Sequence, residues 1–361
     1  MESMVNKFNL SVYKGKRVFV TGHTGFKGSW LCALLQALDA QVAGFSLEPN
    51  TYPSHFRLLG NTENSFNSTI SDISNSEILE EAILTFQPEI VFHLAAQPLV
   101  RESYLNPSNT YQTNVLGTLN VLEAVRKCPS IKSVVIITTD KVYENKEWIY
   151  PYRENDQLGG YDMYSSSKAC AEILTHSYQR SFFNLNNYKI THEVLIASAR
   201  AGNVIGGGDW SKDRLIPDLV RAAIREEKSI IRNPFAIRPW QHVLDCLQGY
   251  LMLGKALIEE KKEFAEAWNF SPDSFESKTV QEVSEMAREI WPAIEITVEQ
   301  NATNYHEAGL LKLDNSKAIS RLQWTPKWNT REAIEETIMW YKKFYLDGSV
   351  ITKDQIAQFL S

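Results

Sequence analysis

In the first half of the chain, short runs of β-branched and aromatic residues alternate with longer stretches whose apolar positions recur every three to four residues. The runs Arg17–Thr21, Gln41–Ser46, Ile90–Leu94, Ser133–Thr138 and His192–Ala199 read as strands. Between them, Gly28–Leu38, Ile78–Phe86, Thr110–Lys127 and Ser165–Phe183 carry the helical period. Arg17–Gly22 and Ile90–Leu94 are apolar on both faces, which a strand needs when helices cover the sheet on both sides. Alternation of this kind predicts an α/β fold: a doubly wound parallel sheet with helices on each face. After Asn203 the pattern loosens, with Gly206, Gly207 and Gly208 followed by scattered prolines and tryptophans. A helix over Leu244–Glu260, a strand over Ala267–Ser271, a helix over Val280–Ile290, a strand over Glu295–Glu299 and a helix over Arg331–Tyr345 complete the reading. The expected layout is a sheet domain of residues 1–198 and 241–271, with a smaller mixed α/β lobe of residues 199–240 and 272–361 over the carboxyl ends of the strands.

A chain of 361 residues exceeds what one core usually organises, which agrees with a large domain carrying a second lobe. The content of 43% hydrophobic and 22% charged residues is that of an ordinary globular protein. A net charge of -6 argues against nucleic acid or an anionic membrane as partner, while leaving room for local basic clusters that bind a small anion. The opening MESMVNKFNLSVYKGKR has no apolar core of a secretory signal, and runs such as Val134–Ile137 are too short to cross a bilayer, so a cytoplasmic location is expected. The cysteines Cys32, Cys128, Cys170 and Cys246 form no C-x-x-C pair and fall in helix-like patterns. Reduced, buried thiols are expected for all of them.

Candidate chemistry starts at Thr21-Gly22-His23-Thr24-Gly25-Phe26-Lys27-Gly28, which follows a strand and opens a helix. Glycines there allow a tight turn, a close approach of backbone to pyrophosphate, and close packing of helix on strand. A plain strand-to-helix turn also accommodates three glycines. The strand–turn–helix context favours dinucleotide binding and a Rossmann-type sheet. The next strand ends Phe45-Ser46-Leu47-Glu48, without an acid at its tip unless Glu48 reaches back, and without an arginine for a 2′-phosphate. That strand does not choose between NAD and NADP. Further on, Tyr164 and Lys168 share one helical face. An ammonium beside a phenol favours the phenolate, whose ordinary pKa is near ~10, and so makes a base for an alcohol losing hydride. On its own, Y-x-x-x-K is common on surface helices. Here it follows Thr138-Thr139-Asp140 at a strand end, where open α/β sheets bind ligands.

Together these segments resemble the extended short-chain dehydrogenase/reductases that act on nucleotide sugars. The resemblance rests on Gly22/Gly25/Gly28, Ser71-Asp72-Ile73, His93-Leu94-Ala95-Ala96-Gln97, Thr113-Asn114-Val115-Leu116-Gly117-Thr118, Tyr164/Lys168 and Arg200-Ala201-Gly202-Asn203-Val204, in this order along most of the chain. It implies that Gly22, Gly25, Phe26, Lys27 and Gly28 hold the cofactor NAD. Asp72 and Ile73 would lie at its adenine, Leu94, Ala95, Ala96 and Gln97 along it, and Asn114 behind the active strand. Asn203 would open the sugar-nucleotide lobe. Thr139-Asp140-Lys141-Val142-Tyr143 is similar to the Thr-Asp-Glu signature of the nucleotide-sugar 4,6-dehydratases, with Lys141 where glutamate is usual. That departure is similar to the branch acting on CDP-glucose, as are Asn145-Lys146-Glu147-Trp148, Gly206-Gly207-Gly208-Asp209-Trp210 and Ile237-Arg238-Pro239-Trp240-Gln241-His242-Val243.

The resemblance implies a hydro-lyase that turns a nucleotide hexose into its 4-keto-6-deoxy form during deoxysugar synthesis for O-antigen lipopolysaccharide. Thr139, Asp140, Lys141, Tyr164 and Lys168 would be catalytic, with Thr139 also meeting substrate. Arg232, Asn233, Arg238 and His306 would bind the substrate, the arginines at its diphosphate. Homodimers or higher homo-oligomers would form through Thr110–Lys127 and Ser165–Phe183. A 4-epimerase, which needs no acid at position 140, and a silent NAD-binding protein, which would go with loss of Tyr164 or Lys168, are the alternatives. The remaining histidines and the tryptophans read as packing residues, and no cluster has metal-ligand spacing.

Overall fold

Strand β1 (Arg17–Thr21) shows why this sequence makes a sheet covered on both sides. Val18 and Val20 point into one hydrophobic cluster and Phe19 into another. The same split divides Ile90 and Phe92 from Val91 on β4 (Ile90–His93), and Val135 and Ile137 from Val134 and Ile136 on β5 (Ser133–Ile137). Alternate residues thus fill two cores on opposite faces of one sheet. The computed structural model describes residues 9–60, 66–231, 233–273, 276–298 and 309–361. Besides β1, β4 and β5 the sheet contains β2 (Gln41–Ser46), β3 (Asn67–Ile70), β6 (Leu195–Ala201) and β7 (Ala267–Phe270). All seven strands are parallel, in the order β7-β6-β5-β4-β1-β2-β3. The order reverses between β1 and β4, and that switch point opens the crevice in which such sheets bind ligands.

On one face lie α1 (Phe26–Ala37) and, from later in the chain, the apolar helix Val243–Ile258. The other face takes α2 (Ser76–Phe86), α3 (Gly117–Lys127) and α4 (Met163–Ser181). The predicted helix Thr110–Lys127 is interrupted. A short helix, Pro107–Tyr111, passes into a π-helical turn, Gln112–Leu116, before α3 begins. Such turns displace one residue inward and often mark functional sites. The residue so buried is Asn114.

Outside the sheet lie α5 (Leu215–Ile224) and α7 (Val280–Ile290), with the Val243–Ile258 helix, α6, between them in sequence. Three two-stranded pairs also lie outside it: Val204–Ile205 with Gln241–His242, Ile237–Arg238 with Lys278–Thr279, and Lys228–Ile231 with Glu295–Val298. Helices α8 (Thr330–Asp347) and α9 (Thr352–Leu360) close the chain. A strand β3, with its polar sequence NSTI, escaped the hydrophobic pattern because it is an edge strand only partly covered. Two cysteine expectations are corrected. Cys170 is half-buried, since α4 turns that side outward, and Cys128 lies just past the last residue of α3 rather than inside a helix. Among the described residues, no helix is long and apolar enough to cross a membrane.

Candidate active site

The turn from β1 into α1 is shaped by its glycines. Gly22 has φ +74°, and a Cβ there would meet Ala95 N at 2.7 Å. At Gly28 a Cβ would come within 2.1 Å of the Gly22 carbonyl oxygen. Only at Gly25 is the space open, with Gly22 O at 3.4 Å as the one neighbour. Gly25 caps α1 without any side-chain hydrogen bond, and the first turn holds no acid. The free amides at Phe26 and Lys27 therefore face a cradle suited to a diphosphate. This geometry fits a dinucleotide.

Beside it, Thr21 Oγ1 accepts from the amides of Leu94 and Ala95, both at 3.1 Å, and pairs with His93 Nδ1 at 2.7 Å. Burial holds the His93 imidazole down at about 3, with Lys168 adding to the effect, so the ring is neutral. Asn114 clamps the following segment. Its Oδ1 accepts from the Gln97 amide at 2.8 Å, and its Nδ2 donates to Gln97 O at 3.1 Å and to Ser167 Oγ, on α4, at 2.9 Å. The π turn thus ties Gln97 to the helix of Tyr164 and Lys168. Ala96 lies half-buried in the same stretch, Ile73 packs against Gly117, and Asp72 accepts from the Ser74 amide at 2.8 Å. At the tip of β2, Glu48 does not reach back; it pairs with Arg57 at 2.9 Å, both mostly exposed. The tertiary fold brings that arginine beside β2 from the short helix His55–Leu58, which the reading of the strand alone missed.

Thr139, Asp140 and Lys141 follow β5 directly, and Tyr164 and Lys168 face the same place from α4. Thr139 Oγ1 donates to Asp140 Oδ1 at 2.9 Å, and the Lys168 ammonium donates to Ile137 O at 3.2 Å. The second carboxylate oxygen of Asp140 is buried and has no hydrogen-bond partner among the described residues. It lies 3.3 Å from where a Cβ of Gly202 would be, so the glycine keeps that side narrow but open. Burial raises the Asp140 carboxyl above its usual range, against the pull of Lys141, Thr139, Arg238 and Lys27. The Lys168 ammonium is pushed down to about 8, first by burial and then by Lys27. For Tyr164 the expectation of a lowered phenol is corrected. Burial dominates and pushes it up to about 12, opposed by a hydrogen bond with Thr139 and by Arg214. Desolvation of the charged form outweighs the favourable neighbours the chain itself supplies.

Arg238, on the short strand Ile237–Arg238, acts on Asp140 and donates to Ile237 O at 2.9 Å. Asn203 holds the adjoining segment by accepting from Gln241 N at 3.0 Å, and Asn233 O accepts from Ala236 N at 3.4 Å. Arg232 and His306 lie outside the described residues. Sequence reading missed Arg214, whose charge reaches Tyr164; no motif marks it, and only the fold places it there. Lys141 lines a cleft with Tyr143, Glu144, Asn145, Tyr161, Asp162 and Leu311. Among the described residues, no three side chains of metal-ligating type converge.

A profile of the family described as GDP-mannose 4,6 dehydratase matches residues 19–337. The CDP-glucose 4,6-dehydratase of Salmonella typhimurium is 47% identical over 351 residues, 97% of each chain. Among solved structures, an epimerase of Methanothermobacter thermautotrophicus superposes with a TM-score of 0.80 at 22% identity, covering 97% of this chain and 96% of that one. The dTDP-glucose 4,6-dehydratase of Bacillus anthracis, solved in complex with NAD, gives 0.70 at 24% identity over 91% of this chain and 97% of that one. At such identities these two structures speak for the fold.

Proposed function

The chain belongs to the GDP-mannose 4,6-dehydratase family of nucleotide-sugar enzymes, and from that premise we propose that it converts CDP-D-glucose to CDP-4-keto-6-deoxyglucose and water. It is a lyase. Held at the Gly22–Gly28 turn, NAD would supply the hydride acceptor for C4 and the hydride donor for C6. Tyr164 removes the 4-hydroxyl proton, with Thr139 orienting that hydroxyl and Lys168 stabilising the phenolate. The 4-ketone acidifies C5. Lys141 takes the C5 proton, and Asp140 protonates the departing 6-hydroxyl, which leaves as water; as C6 receives hydride, C5 takes a proton back from Lys141. Gly22, Gly25 and Gly28 with Phe26 and Lys27 hold the cofactor diphosphate, and Asp72, Ile73, Leu94, Ala95, Ala96, Gln97 and Asn114 line its path. Asn203, Arg232, Asn233, Arg238 and His306 bind the sugar nucleotide.

The observation that carries this reading is Asp140. It is buried, its carboxyl is held toward the protonated form, and one of its oxygens is unpartnered. A dehydratase needs such an acid at a leaving hydroxyl, whereas an epimerase does not. Residues 1–198 and 241–271 serve the cofactor, and residues 199–240 and 272–361 serve the substrate. The enzyme works in the cytoplasm as a homodimer or higher homo-oligomer, supported by exposed Leu116 on the π turn and exposed Ile173 and Phe182 along and just past α4. The 4-keto product suits deoxysugar supply for O-antigen lipopolysaccharide. The test is incubation with CDP-, dTDP-, GDP- and UDP-glucose. A 4-keto product from the CDP sugar well ahead of the others is expected; a product epimeric at C4, still bearing its 6-hydroxyl, would overturn the reading.

A further inference from the structure

The buried stripe of α4 does not end at Lys168. One turn on is Glu172, 4% exposed, which meets Arg200 of β6, 3% exposed. Arg200 Nε and Nη2 donate to the two oxygens of Glu172, each at 2.9 Å, in a bidentate fork. Thr138 and Ser198 donate their hydroxyls to the same carboxylate. The end of β5 is therefore gripped twice by one face of α4, at Ile137 by the Lys168 ammonium and at Thr138 by Glu172. Thr139 and Asp140 come next in the chain. From its other side, Arg200 Nη1 donates to Tyr143 Oη at 2.8 Å and to Glu154 O at 2.9 Å. Tyr143 Oη donates to Asn269 Oδ1 at 2.7 Å, and Asn269 Nδ2 donates to Tyr152 O at 2.9 Å.

We propose that the Arg200–Glu172 pair is the positioning device of the proton relay, setting the α4 residues Tyr164 and Lys168 against Thr139 and Asp140 and fastening both to the segment after the catalytic turn through Tyr143. The inference rests on the functional reading above. Both side chains are buried and bonded to protein groups, which makes them positioning residues. The fork holds the helix at one height against the strand end, and a slip of even ~1 Å at reacting groups costs about 10²-fold in rate. It also keeps the site's charge balanced. Lys27 from α1, His93 from β4, Asp140 beyond β5, Asp162 at the start of α4 and Arg214 ahead of α5 face Tyr164 and Lys168, while Tyr143 and Glu154 face Arg200.

The pH profile of kcat in the holoenzyme separates this role from simple support. Glu172→Gln removes a negative charge and leaves Arg200 unbalanced, so both limbs should move to lower pH, by about half a unit or more. Arg200→Met leaves Glu172 unbalanced and should move them to higher pH. The double variant, Glu172→Gln with Arg200→Met, should return the profile to its wild-type position with kcat still down about tenfold or more and KM for CDP-glucose within about threefold. Shifts in the same direction, or none, overturn the proposal. If the single variants do not fold, the neutral double decides: wild-type kcat, or a loss shared equally with KM, overturns it. Tyr164→Phe serves as the reference. Full turnover in that variant means the functional reading has failed, whereas an inactive Tyr164→Phe with profiles that do not part sinks only the positioning role.

Discussion

The edge formed by β5, α4 and β6 and the segment over residues 143–161 lie side by side and are built differently. At the edge, Thr138, Glu172, Ser198 and Arg200 are all buried and bonded to one another across long sequence distances. In the segment, Ile149 is 74% exposed and Tyr161 likewise 74%. Beyond Tyr143, Tyr152 and Glu154, where the network reaches it, it is held by stacking, Trp148 on Tyr152 at 5.5 Å, and by bonds such as Asn145 Nδ2 to Leu310 O at 3.1 Å. Groups that exchange protons must stay within a fraction of an ångström of their partners, so they sit where a dense network forbids alternatives. The segment, with more of its side chains exposed, tolerates change more readily. Mutations should therefore fail differently, at the edge in kcat and in the segment and the proposed substrate groups in KM.

The largest effect belongs to the edge. Tyr164→Phe should lower turnover by about 10²–10⁴-fold, the usual value of general base catalysis, while NAD stays bound. Mass spectrometry of the nucleotide released on denaturation reports the cofactor, and NADP as the main species would count against the cofactor assignment. Lys141→Met comes next, because Lys141 bridges the two regions by lining the cleft between them. Oxidation at C4 should continue, seen as a rise in absorbance near ~340 nm on adding substrate, while product and deuterium uptake at C5 from heavy water fall by about 10²-fold or more. Normal exchange at C5 would remove Lys141 as the base.

Arg238→Ala tests the substrate side. A charged hydrogen bond is worth on the order of 1.5–3 kcal/mol, so KM for the sugar nucleotide should rise about 10–150-fold with kcat less affected. Equal weakening of NAD binding would point to misfolding and blur the contrast. The smallest effect is on stability. Burial raises the Asp140 carboxyl, so the stability it contributes is fully present below the unfolded-state pKa and is lost as pH rises through the folded one. Asp140→Asn should thus melt higher than wild type at pH 8, with the gap closing near pH 4, although turnover is lost. A lower melting temperature at pH 8 would mean that the ionised carboxylate is held favourably and that the acid role needs revision.

Much of the sheet and of the site was legible from sequence for a local reason. A strand covered on both sides must be apolar on both faces, and a helix start against a diphosphate must be short of Cβ atoms, so β1, β4 and the Gly22–Gly28 turn are written in consecutive residues. Tyr164 and Lys168 are legible because a helix repeats every three to four residues. Helix Val280–Ile290 has the predicted bounds because a capping box, Thr279 with Glu282, marks its start. What stayed hidden depends on partners distant in sequence. Strand β3 exists because β2 offers it an edge, and Arg57 meets Glu48 only once the short helix His55–Leu58 folds back. The π turn at Asn114 has no composition of its own; what marks it is one amide side chain bonded to both Gln97 and Ser167. Tyr164 shows the division most directly. Its place on the helix was set by local spacing, but the rise of its phenol to about 12 was decided by the tertiary structure, because desolvation depends on everything packed around a group and not on its neighbours in the chain.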